Sequence, residues 1–219
     1  FNTDHTLFAV TWYKGAYRST DAGETWQPIP LTTVMTPTTA TTTTVGVEPS
    51  GGPNPYDLAL AVSPDYRGRT EASFGNGLVI ASFSRRLHRW DPAAQVWQTI
   101  PLTATTTVKD FDPPQAQLAA GAIAFSPNFT DDGTIYLHSG YAGLFRSADR
   151  GETWLPINHR LRLPSPPVVD FHLAVASANE AYVLLPTGET DPALRQPVRV
   201  LYRTRDGGAS WQALKDPPT

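Results

Sequence analysis

Apolar residues along this chain come in short runs of about five to eight positions, rich in β-branched and aromatic side chains, with no long apolar period of 3.6 residues. Thr6-Leu-Phe-Ala-Val10, Leu78-Val-Ile-Ala-Ser82, Thr134-Ile-Tyr-Leu-His138 and Ala181-Tyr-Val-Leu-Leu185 are runs of this kind. With 21 Pro and 16 Gly breaking up 219 residues, they predict strands bounded by turns, and the class reads all-β.

The runs belong to a repeat. Ala120-Gly-Ala-Ile-Ala-Phe-Ser-Pro127 parallels Asp57-Leu-Ala-Leu-Ala-Val-Ser-Pro64 and, more loosely, Asp170-Phe-His-Leu-Ala-Val-Ala-Ser177. Downstream, Tyr17-Arg-Ser-Thr-Asp-Ala-Gly-Glu-Thr-Trp-Gln-Pro-Ile29 aligns without gaps with Phe145-Arg-Ser-Ala-Asp-Arg-Gly-Glu-Thr-Trp-Leu-Pro-Ile157, and a third copy runs from Tyr202 to Leu214. A decayed copy, Leu87 to Ile100, keeps Asp91 and Trp97 but has Ala93 where Gly is expected. The four tryptophans are separated by 71, 57 and 57 residues. Each unit therefore reads as four antiparallel strands, the fourth opened by the Trp, which is the blade of a β-propeller. The predicted blades are 1–30, 57–101, 120–157 and 170–215, with a Thr/Pro-rich inter-blade loop at 31–56. The first blade lacks its first strand, which predicts a fragment of a longer propeller.

The polar box between strands three and four has a physical rationale. A tight hairpin leaves backbone N–H groups without ladder partners, and an Asp carboxylate can accept them. Ser19, Asp21, Gly23 and Trp26 make up the first box, Ser147, Asp149, Gly151 and Trp154 the third, and Asp206, Gly208 and Trp211 the fourth; Asp91 and Trp97 mark the decayed copy. The Gly positions suit a left-handed backbone, and the indoles can fold over the hairpin for about 2–3 kcal/mol each. Occurrence in every unit predicts a structural role, since a catalytic acid is needed only once.

The pattern Ser/Thr-x-Asp-x-Gly-x-Thr/Ser-Trp resembles the Asp-box repeat of bacterial neuraminidases, and the resemblance covers essentially the whole chain. Sialidases, xyloglucanases, sortilin-type receptors, photosystem assembly factors and exported bacterial propellers share it. It implies Asp boxes on outer hairpins, away from the functional face. Ser126-Pro-Asn-Phe-Thr-Asp-Asp-Gly-Thr-Ile-Tyr136 is most similar to the exported bacterial group, which implies an extracellular or cell-surface location.

Composition narrows the function. Net charge is −3, from 17 Lys+Arg and 20 Asp+Glu, so nucleic acid is not an expected partner. No apolar stretch approaches the roughly 20 residues that span a bilayer, so no membrane insertion is expected in this segment. The absence of Cys excludes thiolate metal sites, the five His lack ligand spacing, and no cofactor motif occurs, so neither metal nor cofactor is expected.

In an up-down blade the strand two-to-three loops share a face with the inter-blade loops, and rigid scaffolds carry function on such loops. Trp12, Tyr13, Lys14, Arg85, Arg86 and Tyr141 fall there, aromatic and basic groups suited to a protein or glycan partner. Arg18, Arg146 and Arg203 share one register, which argues for a structural role over a sialidase arginine triad. Asp110, Asp112, Glu189 and Asp191 are loop carboxylates on the right face for glycosidase chemistry, but Pro beside Asp112 and Asp191 suits turn capping equally. The expectation is a non-catalytic extracytoplasmic binding or assembly module whose open blade edges are covered by flanking sequence or other chains. The alternatives are part of a glycoside hydrolase and an assembly factor for a membrane complex.

Overall fold

The computed structural model describes residues 5–11, 15–32, 58–66, 78–83, 86–91, 94–100, 120–139, 143–159, 161, 171–193 and 195–214. They form four sheets, taken here as blades one to four. Blade one is β1 (Leu7–Thr11), β2 (Gly15–Ser19) and β3 (Gln27–Ile29). Blade two orders β5 (Ala59–Val62), β6 (Val79–Phe83), β7 (Arg86–Asp91) and β8 (Val96–Thr99), with β4 (Leu31–Thr32) added beyond β8. Blade three is β9 (Ala120–Phe125), β10 (Ile135–Ser139), β11 (Gly143–Ser147) and β12 (Leu155–Pro156). Blade four is β13 (His172–Val175), β14 (Ala181–Thr190), β15 (Pro197–Thr204) and β16 (Gln212–Ala213). Sequence neighbours pair antiparallel throughout each blade, the all-β propeller architecture, and the one described helix is a single turn, α1 (Phe129–Asp132).

Two segments expected to be loops contain strands. Leu31 and Thr32 pair in parallel with Trp97 and Gln98, and Trp97 N–H donates to the Pro30 carbonyl at 2.9 Å. The outer edge of blade two would otherwise expose unpaired backbone groups, and the chain leaving blade one covers it. Pro186 to Val198 forms most of a hairpin: β14 and β15 continue past the sheet, with an irregularity between Pro186 and Thr190 and pairing resumed at Thr190 with Pro197. Proline has no N–H to give the ladder, so the break falls there, while Thr187, Val198 and Val200 favour extended backbone on either side.

The cores lie between blades. Alternation along a strand sends neighbouring residues to opposite faces, so Ile135 and Leu137 of β10 pack toward blade two with Ile80, Leu87 and Trp154, while Tyr136 packs toward blade four with Leu144, Ala181 and Val183. Blades one and two meet through Phe8, Val10 and Ala16 against Val79, Trp90 and Trp97. Each fully buried aliphatic contributes roughly 1.5–3 kcal/mol, so a blade is stabilised largely by its neighbours.

Candidate functional site

Strand three starts at one end of each blade and finishes at the other, so the box hairpins and the strand two-to-three turns occupy opposite ends. At the box end the wiring is the same in three blades. Ser19 Oγ donates to Asp21 Oδ1 at 2.6 Å and accepts Gly23 N–H at 2.8 Å; Asp21 in turn accepts Thr25 N–H at 3.0 Å and the Thr25 hydroxyl at 2.5 Å. Ser147, Asp149, Gly151 and Thr153 repeat this at 2.7, 2.8, 2.9 and 2.5 Å. Thr204, Asp206, Gly208 and Ser210 repeat it at 2.8, 2.8, 2.9 and 2.5 Å.

Each carboxylate is thus surrounded by donors. The Ser19 and Thr25 hydrogen bonds hold the Asp21 carboxyl well below the usual range, and the Ser210 and Thr204 bonds lower Asp206 to about 2. Burial pushes Asp149 upward, but the Thr153 and Ser147 bonds outweigh it and lower the group. The left-handed position before each box Gly is taken by Ala22 (φ 62°), Arg150 (φ 61°) and Gly207 (φ 71°), so two successive residues turn the chain. In blade two, Asp91 instead accepts Ala94 N–H at 3.1 Å and the Gln98 amide at 2.5 Å, while Trp97 is fully buried.

Arginines at one register cross from blade to blade. Arg146 Nε donates to the Ala178 carbonyl at 3.1 Å, and the Tyr136 hydroxyl reaches the same oxygen at 2.8 Å. Arg89 reaches Glu152 of blade three at 2.6 Å, and Arg18 lies over the Trp90 ring of blade two at 5.8 Å. In blade four Arg203 turns to Glu180 of its own sheet at 2.5 Å. Arg89 was not in the sequence-derived set, although its place eight residues before Trp97, the spacing of Arg18 to Trp26 and Arg146 to Trp154, signals the register. Ser63 was also missed: it donates to Asp65 at 2.5 Å and accepts Leu78 N–H at 2.6 Å, a Ser-x-Asp cap at the strand one-to-two turn.

At the other end, Trp12, Tyr13, Lys14, Arg85 and Tyr141 lie outside the described residues, as do Asp110 and Asp112. Arg86 opens β7 by pairing with Phe83, and its side chain is outside the description. The structure brings forward instead the β14–β15 hairpin. Past the buried Leu185 and Pro186 it carries exposed Thr187, Glu189, Arg195, Gln196 and Arg199. Its tip is ordered by its own bonds: Asp191 N–H donates to the Gln196 carbonyl at 2.9 Å, Arg195 N–H to the Asp191 carbonyl at 2.8 Å, and Ala193 N–H to Asp191 Oδ1 at 2.8 Å. Asp191 is a turn-holding carboxylate. On the same end, His138 stacks on Phe171 with ring centroids 3.5 Å apart and planes at 2°, and burial lowers its pKa to about 4. No group of three or more potential ligands suited to a metal occurs among the described residues.

Residues 17–28, the first box, match the BNR/Asp-box repeat family. The chain carries Asp-box repeats on a β-propeller fold. Among solved structures, the GH74 enzyme of Niastella koreensis is similar over 98% of this chain and 28% of its own, at 16% identity and a TM-score of 0.54. YCF48 bound to a D1 peptide is similar over 96% of this chain and 50% of its own, at 19% identity and a TM-score of 0.45. The chain therefore spans half or less of these propellers. No curated protein matches its sequence. Such likeness at these identities is one of fold, and the Asp-box hairpins and the projecting β14–β15 hairpin are the features from which function must be argued.

Proposed function

We propose that this Asp-box propeller segment is a non-catalytic, extracytoplasmic binding or assembly module that takes a protein partner on the strand two-to-three end. The observation that carries the reading is the β14–β15 hairpin, an internally braced element whose Thr187, Glu189, Arg195, Gln196 and Arg199 face solvent and mix acidic with basic groups. A rigid hairpin beyond a sheet offers backbone edges and alternating side chains to a partner at little ordering cost. At the opposite end the carboxylates of Asp21, Asp149 and Asp206 are consumed by their own turns, which suits support rather than recognition. A photo-crosslinker at Gln196 should capture a partner from the exporting cell, and one at Glu24 should not. Replacing residues 187–197 with an Asn-Gly turn should abolish capture while the far-UV spectrum is kept. Capture from Glu24 alone would overturn the choice of face, and steady sugar release from xyloglucan or a sialoside by the purified chain would overturn the non-catalytic reading.

A further inference from the structure

Two arginines stand in the left-handed backbone region, Arg150 at φ 61° and Arg195 at φ 53°. That region crowds the Cβ of any residue other than glycine, so an arginine there is a poor choice unless its side chain is put to use. Arg150 is put to use inside the chain. Its guanidinium donates to the Thr130 carbonyl at 2.6 Å, lies over the Phe129 ring at 5.0 Å and stands 3.8 Å from the Asp65 carboxylate. Arg195 makes no such contact. Among the described residues its exposed side chain has no ion pair, hydrogen bond or ring partner.

The turn fixes where that side chain stands. Arg195 is the last residue inside the loop that Asp191 and Gln196 close, and its N–H is held by the Asp191 carbonyl at 2.8 Å. The Asp191 carboxylate accepts Ala193 N–H at 2.8 Å, so it braces the loop. A guanidinium on an ordered backbone at the far end of a projecting hairpin loses little freedom on binding, and its planar fork matches a carboxylate with two parallel hydrogen bonds. Glu189, exposed on the strand leading into the loop, likewise has no described partner for its carboxylate. A negative charge on the same hairpin disfavours a dianionic phosphate and suits a basic group of the partner.

We propose that Arg195 is the anchor of the partner face: it grips an Asp or Glu carboxylate of a protein partner, and a Lys or Arg of that partner is set against Glu189. Backbone strain of this kind collects at sites where the direction of a side chain matters. The inference rests on the binding reading above and adds which residue carries it and what chemistry answers it.

The first measurement needs no partner. Arg195→Gly relieves the backbone, so its denaturation midpoint should lie at or above that of the parent; a fall would mean that the arginine braces the turn, and would overturn the proposal. The partner captured through the crosslinker at Gln196 is then identified, its contact mapped, and its affinity for the purified protein measured. Arg195→Gly should weaken that affinity roughly tenfold or more, and Arg195→Glu further still. Exchanging the mapped acid of the partner for Arg should restore binding to the Arg195→Glu variant and not to the parent. Full affinity in Arg195→Gly, or a mapped contact without an acid, overturns this inference and leaves the hairpin reading standing. No capture at Gln196 removes both.

Discussion

Trp26 and Trp154 follow hairpins wired bond for bond alike, yet the first is 41% and the second 6% exposed. What differs is the neighbour. Trp154 lies against Ile80 and Leu87 of blade two and also bonds the Gly151 carbonyl at 3.1 Å, whereas Trp26 has its own Gly23 and Leu7 within reach and no described blade before it. The hairpin is thus a local structure, complete within seven residues, and the indole's burial is a property of the blade boundary. Trp154→Ala should cost about 3–5 kcal/mol in chemical denaturation, the range for truncating a buried large aromatic. Trp26→Ala should cost about 1 kcal/mol in dilute protein, since much of its surface is already wet. Equal losses would show that the tryptophan acts on its hairpin alone.

The glycines sharpen the same contrast. A Cβ on Gly208 would stand 2.6 Å from Ile157 Cβ of blade three, whereas one on Gly23 would come no nearer than 3.4 Å, to Leu7 Cδ1, with Trp26 Cζ2 at 3.9 Å. Both have positive φ, so both substitutions incur the ~1–2 kcal/mol of a left-handed backbone. Gly208→Ala adds overpacking of ~1–3 kcal/mol, for a total of about 2–5 kcal/mol. Thermal unfolding of the two variants should separate them clearly, and a Gly208→Ala no worse than Gly23→Ala would mean that the blade three–four boundary yields easily.

That boundary also contains His138, stacked on Phe171 and held at about 4 by burial against an ordinary 6.5. Between these values the unfolded chain takes up a proton that the folded chain refuses. Stability is therefore full above pH 6.5 and falls as pH drops to 4, by about 3 kcal/mol. His138→Phe should flatten the denaturation midpoint across that window. An unchanged slope would place the proton uptake elsewhere.

The same division explains what could be read from the chain alone. The box was legible because its hydrogen bonds join residues two and four apart, so Ser19, Asp21 and Thr25 show the motif in their spacing. The four-strand unit was legible because Thr134-Ile-Tyr-Leu-His138 recurs beside it. The exposure of Trp26 was not, since nothing local distinguishes it from Trp154. Nor was the crossing of Arg146 to Ala178, 32 residues away, although the shared register of the arginines did point to a common structural task. The β14–β15 extension was hidden by Pro186, Pro192 and Pro197, which read as loop while the Thr and Val residues between them sustained a hairpin.

If the hairpin is local, removing its carboxylate must have the same consequence wherever the blade sits. Asp21→Ala and Asp149→Ala should lower the unfolding midpoint by similar amounts, each a small part of the Trp154→Ala effect, although one lies in the open blade and the other between two blades. The acid limb gives an independent reading. The Asp-box carboxyls are lowered by their hydroxyl and amide donors, so their stabilisation is present above the ordinary pKa of 3.8 and is lost as pH falls toward the value of about 2 that Asp206 has when folded. That window lies below the His138 window, and the two limbs should be separable in one pH series of denaturation midpoints. Asp149→Ala and Asp21→Ala should each shallow the lower limb and leave the upper one unchanged. A much larger loss at Asp149 than at Asp21 would mean that the neighbouring blades help to hold the turn, and the hairpin would no longer count as a self-contained unit.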